Sequence, residues 1–423
     1  AARLATVLEE RLEKPVIPLF WVSSEDHDWD EAGHTEIIGV DNKIHRIELE
    51  NVYSETDPPI HRIQIGSAAQ DQIDEFVQLL PDTEFSSVYI KLILGSFGPE
   101  KTLADGFHIL LQELLGRFGI FFTDAAHPSV KTHSSRMLLE ELARSEELEA
   151  ILKRTGEGLS SAGYELQVPL LEGGVNLFLE GSAGRERLYR EGDGFRLRTS
   201  GEHVTLRDVK ERQAEDPLIL SPNVLLRPVV ESGVFPTLSY VGGPGEIAYF
   251  AQLGEYFQAH GLEMPVVYPR CGVTLVEKKI RKILDKFKLR MEFLQKPFHE
   301  VASEVAREGM PNEVEEAIEG LRGSVATCTE EIGQAVSSID PTLNAAAAQV
   351  RSQTLSALDE LERKTLQALK RENQIGLNQL EKARLHLYPN GKPAERIQNP
   401  FYFLTRYGGA FLEELYDSLE VSL

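Results

Sequence analysis

PVIPLFWVSSEDHDWDEAGH, residues 15–34, changes abruptly from an apolar run to a cluster of carboxylates. The apolar part lacks polar alternation, which is typical of a strand covered on both faces in a parallel sheet. Ligands of open α/β sheets lie beyond the carboxyl ends of the strands, so the polar part is a candidate site. Its candidate catalytic residues are Asp26, His27, Asp28 and His34, and its candidate substrate-binding residues are Ser23, Glu25 and Glu31.

A simpler explanation of the acidic segment stays open. Carboxylates are common in the first turn of a helix, where each stabilises the positive helix end by about 0.3–1 kcal/mol. Asp26, Asp28 and the two histidines also offer metal-binding groups, but no standard spacing such as His-Glu-x-x-His is present, and we predict no metal site.

Strand and helix patterns alternate twice along the chain. Strands are predicted at 86–94 and 119–125, with a helix between them that begins at Pro99 and ends at Gly116 or Gly119. The pattern returns as a strand in FPTLSYVGG, a helix in PGEIAYFAQLGEYFQAHG and a strand in PVVYPR. This order predicts an α/β fold with a parallel sheet and helices on its faces.

Residues 163–199 alternate apolar and polar side chains and turn at glycines, which predicts a small antiparallel insertion. The last third is helical, and Asp340-Pro341 separates two helices that form an antiparallel coiled-coil arm. Unbroken to about residue 385, the second helix would be roughly 65 Å long. Apolar residues at 4-3 spacing predict the seam: Val314, Ile318, Leu321, Val325, Cys328, Ile332, Ala335 and Ile339, followed by Leu343, Ala347, Val350, Thr354, Ala357 and Leu361.

These patterns divide the chain into five segments. They are the first half of the core (1–125), an inserted connecting module (126–215), the second half of the core (216–285), the coiled-coil arm (286–386) and a C-terminal segment that packs back on the core (387–423).

Composition restricts the partners. The 423 residues carry a net charge of −23, which argues against nucleic acid or an anionic membrane as a general partner. No apolar run reaches the length of a transmembrane helix. Two cysteines are too few for a disulfide framework, so we expect a cytoplasmic protein, with Cys271 as a buried thiol.

YVGGPGEIAYF, residues 240–250, forms a second polar strand end. Gly242, Gly243 and Gly245 allow close approach of the backbone to a ligand, and the helix start favours an anion. Glu246 and Tyr249 follow as substrate-binding candidates. A strand-to-helix turn without a ligand explains the glycines equally well, since neither a Walker loop nor a complete GxGxxG is present.

Three long segments resemble the bacillithiol biosynthesis family BshC: PVIPLFWVSSEDHDWDEAGH, LLRPVVESGVFPTLSYVGGPGEIAYFAQLGEYF and LYPNGKPAERIQNPFYFLTRYG. The resemblance implies an α/β fold with a Rossmann-like parallel-sheet core, an inserted connecting module and a C-terminal antiparallel coiled-coil arm that forms homodimers. Family members have a Gly-rich QAG…GP motif before the first strand, which this sequence lacks, so we expect part of the site to lie in a segment before residue 1.

The resemblance also implies a reaction, the ligation of cysteine to glucosaminyl-malate to give bacillithiol. Carboxylates of the first segment would hold ammonium groups, and one of them or His27 would accept a proton. Arg227 and the 242–246 turn would hold the malate carboxylates or a phosphate. If ATP activates the carboxyl group, Mg²⁺ would accompany it with Asp26 or Asp28 as ligands, although HIGH and KMSKS signatures of adenylate-forming ligases are absent.

Tyr388, Arg396, Asn399 and Tyr402 of the tail offer stacking and hydrogen-bonding groups suited to an adenine nucleotide. A tail that only docks the arm explains them equally well. Two other functions remain open for the whole chain. One is a non-catalytic dimeric scaffold that binds a nucleotide or a sugar acid, and the other is a metal-dependent sugar hydrolase.

Overall fold

The structure, a computed structural model, describes residues 1–50 and 58–422 and separates into two compact units. Unit 1 comprises Ala1–Glu36, Arg46–Gly272 and Asn399–Leu423, and unit 2 comprises Ile37–His45 and Val273–Gln398. All residues of the two predicted strand-end sites therefore belong to unit 1.

The strands are short and belong to four hydrogen-bonded sheets within the described residues. Two sheets are parallel pairs, β1-β4 and β10-β11; β2 and β3 form a third pair, and the fourth sheet has the order β8-β7-β6-β5-β9. In chain order the strands are β1 (Leu19–Val22), β2 (His34–Ile38), β3 (Ile44–Glu48), β4 (Phe121–Asp124), β5 (Gly174–Gly181), β6 (Gly184–Glu191), β7 (Gly194–Leu197), β8 (His203–Val204), β9 (Leu220–Pro222), β10 (Ser239–Gly242) and β11 (Val266–Pro269).

Helices account for most of the remaining structure. They are α1 (Ala2–Leu12), α2 (Trp29–Ala32), α3 (Gln70–Leu79), α4 (Ser86–Ser96), α5 (Leu103–Leu115), α6 (Pro128–Ala143), α7 (Ser145–Ser161), α8 (Leu206–Glu215), α9 (Arg227–Val234), α10 (Pro244–Phe250), α11 (Gly254–Ala259), α12 (Lys278–Phe287), α13 (Phe298–Glu308), α14 (Asn312–Ser337), α15 (Leu343–Glu372), α16 (Gln374–Leu387), α17 (Phe401–Tyr407) and α18 (Ala410–Ser418).

The parallel strands confirm the central prediction for the core. β1 pairs in parallel with β4, so that Val22 lies opposite Asp124, and β10 pairs in parallel with β11. The hydrogen bonds form two separate pairs rather than one continuous sheet. The carboxyl ends of β1 and β4 nevertheless lie side by side, which places the acidic segment and the residues after Asp124 together.

The predicted strand at 86–94 is wrong, because these residues form α4. Its buried residues Ser86, Tyr89, Ile93 and Ser96 recur at intervals of three and four, the period of a helix. Val88 and Leu94 remain exposed. The run has apolar residues on its exposed face as well as on its buried face, so its composition resembles that of a buried strand. Tertiary packing buries only one face of the helix.

Two predicted helices have different boundaries. The helix expected from Pro99 begins at Leu103, because Thr102 and Asp105 form a capping box there. The helix expected over 244–261 is divided into α10 and α11. Residues 251–253 leave the helical hydrogen-bond pattern between them.

The predicted antiparallel insertion is confirmed by β5, β6 and β7, which pair in sequence order. β9 joins the same sheet at β5, although it lies beyond residue 215. Leu177, Leu179 and Leu188 of this sheet pack with Leu138 and Leu148 of α6 and α7 in the main core of unit 1. In the C-terminal segment, Phe401 packs edge-on against Phe76 and Tyr89, also in unit 1.

The antiparallel arm is confirmed as α14 and α15 in unit 2. Arg322 pairs with Asp359 and Glu362, while Gly333 lies next to Asn344 and Ala347 nearer the turn. A Cβ at Gly333 would lie 2.8 Å from Asn344 Oδ1, so glycine permits the close approach of the two helices. The second helix does not run unbroken to residue 385, because Asn373 separates α15 from α16.

On α14 the predicted seam is correct only near the start of the helix. Ile318 is buried, but Leu321, Ile332 and Ile339 are 51%, 52% and 80% exposed. The more buried positions instead recur at an average of 3.6 residues, which is the period of a straight helix. A heptad pattern drifts by about 20° per heptad around such a helix, so its later members rotate to the surface.

Most of the seam predicted on α15 is displaced in the same way. The predicted seam residue Ala347 is buried as expected, and Leu358, which was not predicted, is also buried. The predicted seam residues Leu343, Val350 and Leu361 are 39%, 54% and 52% exposed. We call the exposed large apolar residues of the predicted heptads the arm stripe, which consists of Leu321, Ile332, Ile339, Leu343, Val350 and Leu361. The prediction of a buried Cys271 is also wrong, since both cysteines are free and exposed.

Candidate active site

The acidic segment after β1 has three different structural environments. Glu25 is buried at 6% exposure and forms an ion pair with Lys131 of α6, which is 2% exposed. Burial raises the pKa of Glu25, and the Lys131 charge opposes that shift. Lys131 also donates to the carbonyl of Leu220. This carboxylate therefore ties the loop after β1 to α6 and β9.

Asp28 and Glu31 belong to a helix start, as the simpler explanation proposed. Asp28 is the N-cap of α2, and its Oδ1 accepts from the backbone N–H of Glu31 at 3.0 Å. Both side chains are exposed. His34 begins β2, and its Nδ1 is buried without a hydrogen-bond partner. Among the described residues, no hydrogen bond or ion pair joins His34 to the groups that follow.

Arg185 of β6 holds the middle of the acidic segment. Its Nη1 lies 2.9 Å from His27 Nδ1 and 3.4 Å from Asp26 Oδ1, and its side chain is 6% exposed. The guanidinium carbon lies 3.8 Å from the centre of the Phe178 ring. Arg185 also donates to Ser221 Oγ and to the carbonyl of Pro222, at 2.8 and 3.0 Å.

The contact with Arg185 fixes the tautomer of His27. A guanidinium group only donates hydrogen bonds, so His27 Nδ1 accepts and the proton of the neutral ring lies on Nε2. His27 Nδ1 therefore has no free lone pair in this arrangement. The role of His27 as a proton acceptor stays a prediction, and the geometry favours hydrogen-bond donation from Nε2.

Arg227 joins the end of β1 to α10. Its Nη1 donates to Ser23 Oγ at 3.3 Å, and its Nη2 donates to Tyr249 Oη at 3.0 Å. Its Nε lies 3.4 Å from Glu231 Oε1 but makes no hydrogen bond. Arg227 thus contacts two other predicted binding residues directly. Ser23 is 204 residues away from it in sequence, and Tyr249 is 22 residues away.

The glycine turn after β10 is occupied by its own side chains. Glu246 Oε2 accepts from the Gly243 N–H at 2.6 Å, and Glu246 Oε1 accepts from Tyr240 Oη at 3.1 Å. A Cβ at Gly243 would lie 2.7 Å from Arg270 Nη2, so glycine accommodates Arg270. Gly242 is buried and Gly245 is exposed. The carboxylate of Glu246 already takes the position at the helix start where we expected an external anion.

Glu231 is an unpredicted member of this group. Burial raises its pKa to about 7, the nearby Glu246 charge adds to the shift, and Arg227 opposes it. A carboxyl group that titrates near neutrality in a polar strand-end cluster is typical of functional sites.

We predict a distinct pH dependence of stability for Glu231→Gln. Between pH 4.5 and 7 the folded protein keeps a proton on Glu231 that the unfolded chain releases, so this group destabilises the fold progressively as the pH rises. From pH 5 to pH 8 the wild type should lose about 3 kcal/mol of unfolding free energy relative to the variant. Denaturant unfolding at both pH values measures the difference, and parallel pH curves would contradict the raised pKa.

Two N–H donors near the Ser23 side of β1 lack partners. Trp21 Nε1 and Arg227 Nε are buried without a hydrogen-bond acceptor. Trp21 packs edge-on against Phe235, the residue that follows α9, and lies two positions before Ser23 on the same side of an extended chain. A buried guanidinium N–H without an acceptor suits an anionic ligand group such as a carboxylate.

The four tail residues do not belong to one unit. Tyr388 and Arg396 lie in unit 2, whereas Asn399 and Tyr402 lie in unit 1. Asn399 Nδ2 donates to Thr35 Oγ1 at 2.8 Å, and Arg406 stacks on Tyr402 with its guanidinium carbon 3.8 Å from the ring centre. Tyr388 and Tyr402 are both largely buried. The role of these four residues in nucleotide binding stays a prediction.

Metal-binding clusters and membrane-spanning helices are both absent from the described residues, 1–50 and 58–422. There, no cluster of three or more His, Cys, Asp or Glu side chains is arranged to hold a metal ion. No helix in these ranges is both long and apolar enough to cross a membrane.

Sequence comparisons assign both units to one family. Residues 1–271 match the family described as bacillithiol biosynthesis BshC, N-terminal Rossmann-like domain, and residues 273–422 match the BshC C-terminal coiled-coil domain. The chain belongs to the BshC family. This confirms the family resemblance and the fold class, a Rossmann-like core followed by a coiled coil.

Relatives in several bacteria carry the name "Putative cysteine ligase BshC". The protein of Salinibacter ruber is 29% identical over 96% of this chain and 74% of its own length. That of Chlorobaculum tepidum is 30% identical over 95% and 73%, and that of Bacillus mycoides is 26% identical over 98% and 77%. These comparisons do not favour the scaffold or the sugar hydrolase that the sequence left open.

Sequence reasoning missed several residues of the candidate site. Glu231 could have been predicted, because it follows Arg227 by four residues on one helix and such pairs contact each other. Lys131, Arg185 and His61 had no local signal. Each reaches the loop after β1 from a distant part of the chain, and only the folded structure brings them there.

Proposed function

We propose that this chain ligates cysteine to glucosaminyl-malate and thereby forms bacillithiol. Family membership supports the reaction class, since the matched relatives are named as cysteine ligases. Arg227 and its two partners carry the proposal structurally, because they combine a partly buried cation, two hydroxyl groups and an unpaired N–H donor near the carboxyl end of β1.

Arg227 would bind the malate carboxylates of the amino-sugar substrate. Guanidinium groups recognise carboxylates through parallel charge-assisted hydrogen bonds, and Arg227 Nε is free to donate one. Ser23 and Tyr249 hydroxyl groups orient Nη1 and Nη2, and Trp21 adds a further N–H donor. Glu246 positions the glycine turn rather than binding the ligand directly.

The exposed acids of the first segment would bind the ammonium groups. Asp26 is 54% exposed in its side chain and Asp28 is also exposed, so both reach solvent at the strand end. Glu25 has a different proposed role, because its pairing with Lys131 fixes the loop. Both cysteines of the chain are free and exposed, which fits the reducing cytoplasm we propose as its compartment.

Activation of the cysteine carboxyl group by ATP with Mg²⁺ is part of the proposal. A nucleotide-bound Mg²⁺ needs only one or two protein carboxylates, and Asp26 or Asp28 fits that requirement. Tyr388, Arg396, Asn399 and Tyr402 remain the candidate residues for the adenine nucleotide. ATP would supply the leaving group that a free carboxylate lacks.

A product assay tests the reaction. The purified chain is given glucosaminyl-malate and cysteine, with and without ATP and Mg²⁺, and bacillithiol is followed by mass spectrometry. ATP-dependent product supports the full proposal, and product without ATP removes the nucleotide from it. If neither this chain nor a version extended before residue 1 forms product under either condition, the ligase assignment is wrong.

We also propose that the arm stripe forms the contact between two copies of the chain. Its exposed residues lie 7 or 11 residues apart on each helix, so they keep to the 4-3 spacing of a coiled-coil interface. An equivalent stripe on a second copy would bury these apolar side chains from water. Ile318 does not belong to this interface, since it is buried within the chain.

Replacing Ile332 by glutamate should therefore convert a dimer into a monomer. A charge buried in the apolar contact is unfavourable, and the symmetric contact places it there twice. Light scattering at matched concentration gives the mass. Gln334→Glu adds the same charge at an exposed position away from the stripe and should leave the dimer intact. Equal masses for Ile332→Glu and wild type would exclude the stripe as the interface.

A further inference from the structure

His61 is attached to the loop after β1 by the backbone. It lies in a short 3-10 turn, Ile60–Arg62, that follows the acidic segment in sequence by about thirty residues. The Ile60 N–H donates to the Asp26 carbonyl at 2.7 Å, and the His61 N–H donates to the Ser24 carbonyl at 2.9 Å. These two hydrogen bonds fix the position of the imidazole beside the strand end.

The hydrogen bond of the ring determines which nitrogen is basic. His61 Nδ1 lies 3.2 Å from the Ser24 carbonyl oxygen. A carbonyl oxygen only accepts, so Nδ1 carries the proton and Nε2 of the neutral ring has a free lone pair. That Nε2 atom is buried, and no described group forms a hydrogen bond with it.

Charged neighbours act on the His61 ring near the carboxyl ends of β1 and β4. Ser24 Oγ donates to Oδ1 of Asp124, the last residue of β4, and Asp124, Lys131 and Arg62 all act on the His61 ring. Burial lowers the pKa of His61, a hydrogen bond to Ser24 opposes this, and Arg62 and Lys131 lower it further. The imidazole is therefore neutral and able to accept a proton at neutral pH.

Competing bases at the same strand end are already engaged. His27 Nδ1 accepts from Arg185, Glu25 pairs with Lys131, and Asp124 accepts from Ser24 and from the Ala126 N–H. His27 Nδ1 has a single lone pair and would have to give up its contact with Arg185 before accepting a proton. His61 Nε2 has no such partner to lose among the described residues.

We propose that His61 is the general base of the ligation, a role that rests on the proposed function. Its Nε2 takes the proton of the amino-sugar nitrogen as that nitrogen bonds to the cysteine carboxyl carbon. The bond from this carbon to its phosphate-derived activating group breaks, and the leaving group departs with the electron pair. Nε2 then releases the proton to solvent.

A pH profile of His61→Gln tests the assignment. The wild-type rate should decline as falling pH protonates His61, and the variant should lose this decline together with about 100-fold or more of kcat. The KM for glucosaminyl-malate should change little, because Nε2 acts on the proton rather than on ground-state binding. His133→Gln is the matched control, since His133 Nδ1 also contacts a backbone carbonyl but its side chain is exposed.

A His61→Gln enzyme with wild-type kcat and an unchanged acid decline would overturn the proposal. A second measurement separates it from the ligase assignment itself. In ¹⁵N-histidine-labelled wild type, two ring-nitrogen resonances are lost in His61→Gln, and the one that carries no proton identifies Nε2. Glucosaminyl-malate should shift this resonance even if no product forms. An unshifted Nε2 resonance at saturating amino sugar would exclude contact with the substrate amine and overturn the assignment.

Discussion

Arg227→Met is expected to lower kcat/KM for bacillithiol formation by about 100-fold, which corresponds to roughly 3 kcal/mol. The substitution removes the charge-assisted hydrogen bonds proposed for the malate carboxylates and frees the hydroxyl groups of Ser23 and Tyr249. Glu231 loses its cationic neighbour, but a carboxyl group whose pKa is already about 7 absorbs that loss by taking up a proton. The fold should therefore tolerate the change.

Arg207→Met is the control for Arg227→Met. Arg207 is 83% exposed and pairs with Glu211 on α8, so its loss should leave kcat/KM unchanged. Arg227→Lys should give an intermediate rate, because lysine keeps the charge but lacks the planar fork of donors. Wild-type kcat/KM in a folded Arg227→Met protein would remove Arg227 from substrate recognition.

Lys131→Met should produce the largest loss of stability. It leaves Glu25 buried without its partner, and breaking a buried ion pair in this way costs about 3–5 kcal/mol. Burial raises the pKa of Glu25, so the carboxyl group can protonate and the loss should be smaller at low pH than at pH 8. Tryptophan fluorescence during denaturant unfolding reports this change, because Trp21 and Trp29 both lie in unit 1.

The double variant Glu25→Gln/Lys131→Met identifies the cause. Removing both charges leaves no unpaired ion, so the double variant should be more stable than Lys131→Met alone. If the double variant is equally unstable, lost packing rather than the buried charge explains the effect. The Asp26 contact with Arg185 is unchanged in both proteins and does not contribute to the difference.

Local patterns predicted the elements that position the site. The sequence predicted the strands β1, β4, β10 and β11, because each is a short apolar run followed by a polar turn. It did not predict the helix at 86–94, because a helix buried on one face and a buried strand have similar composition. The arm was recognised from its heptads, but the register was wrong because the paired helices follow the 3.6-residue period.

Site chemistry was predictable only where both partners lie in one motif. Arg227, Glu246 and Tyr249 come from a single resembling segment, and the structure joins Arg227 to Tyr249. The free negative charge of the acidic segment was not predictable, because the cations that pair with Glu25 and Asp26 come from distant elements. The sequence of the segment alone therefore overstates the negative charge at this strand end.

Recognition of the malate carboxylates by Arg227 is tested most directly by calorimetric titration with two ligands. Glucosaminyl-malate carries the carboxylates, and methyl glucosaminide presents the same sugar without them. The wild type should bind glucosaminyl-malate about 100-fold more tightly than the methyl glycoside, and Arg227→Met should lose most of that preference. An equal preference in wild type and variant would show that the carboxylates bind elsewhere and would contradict the proposed site.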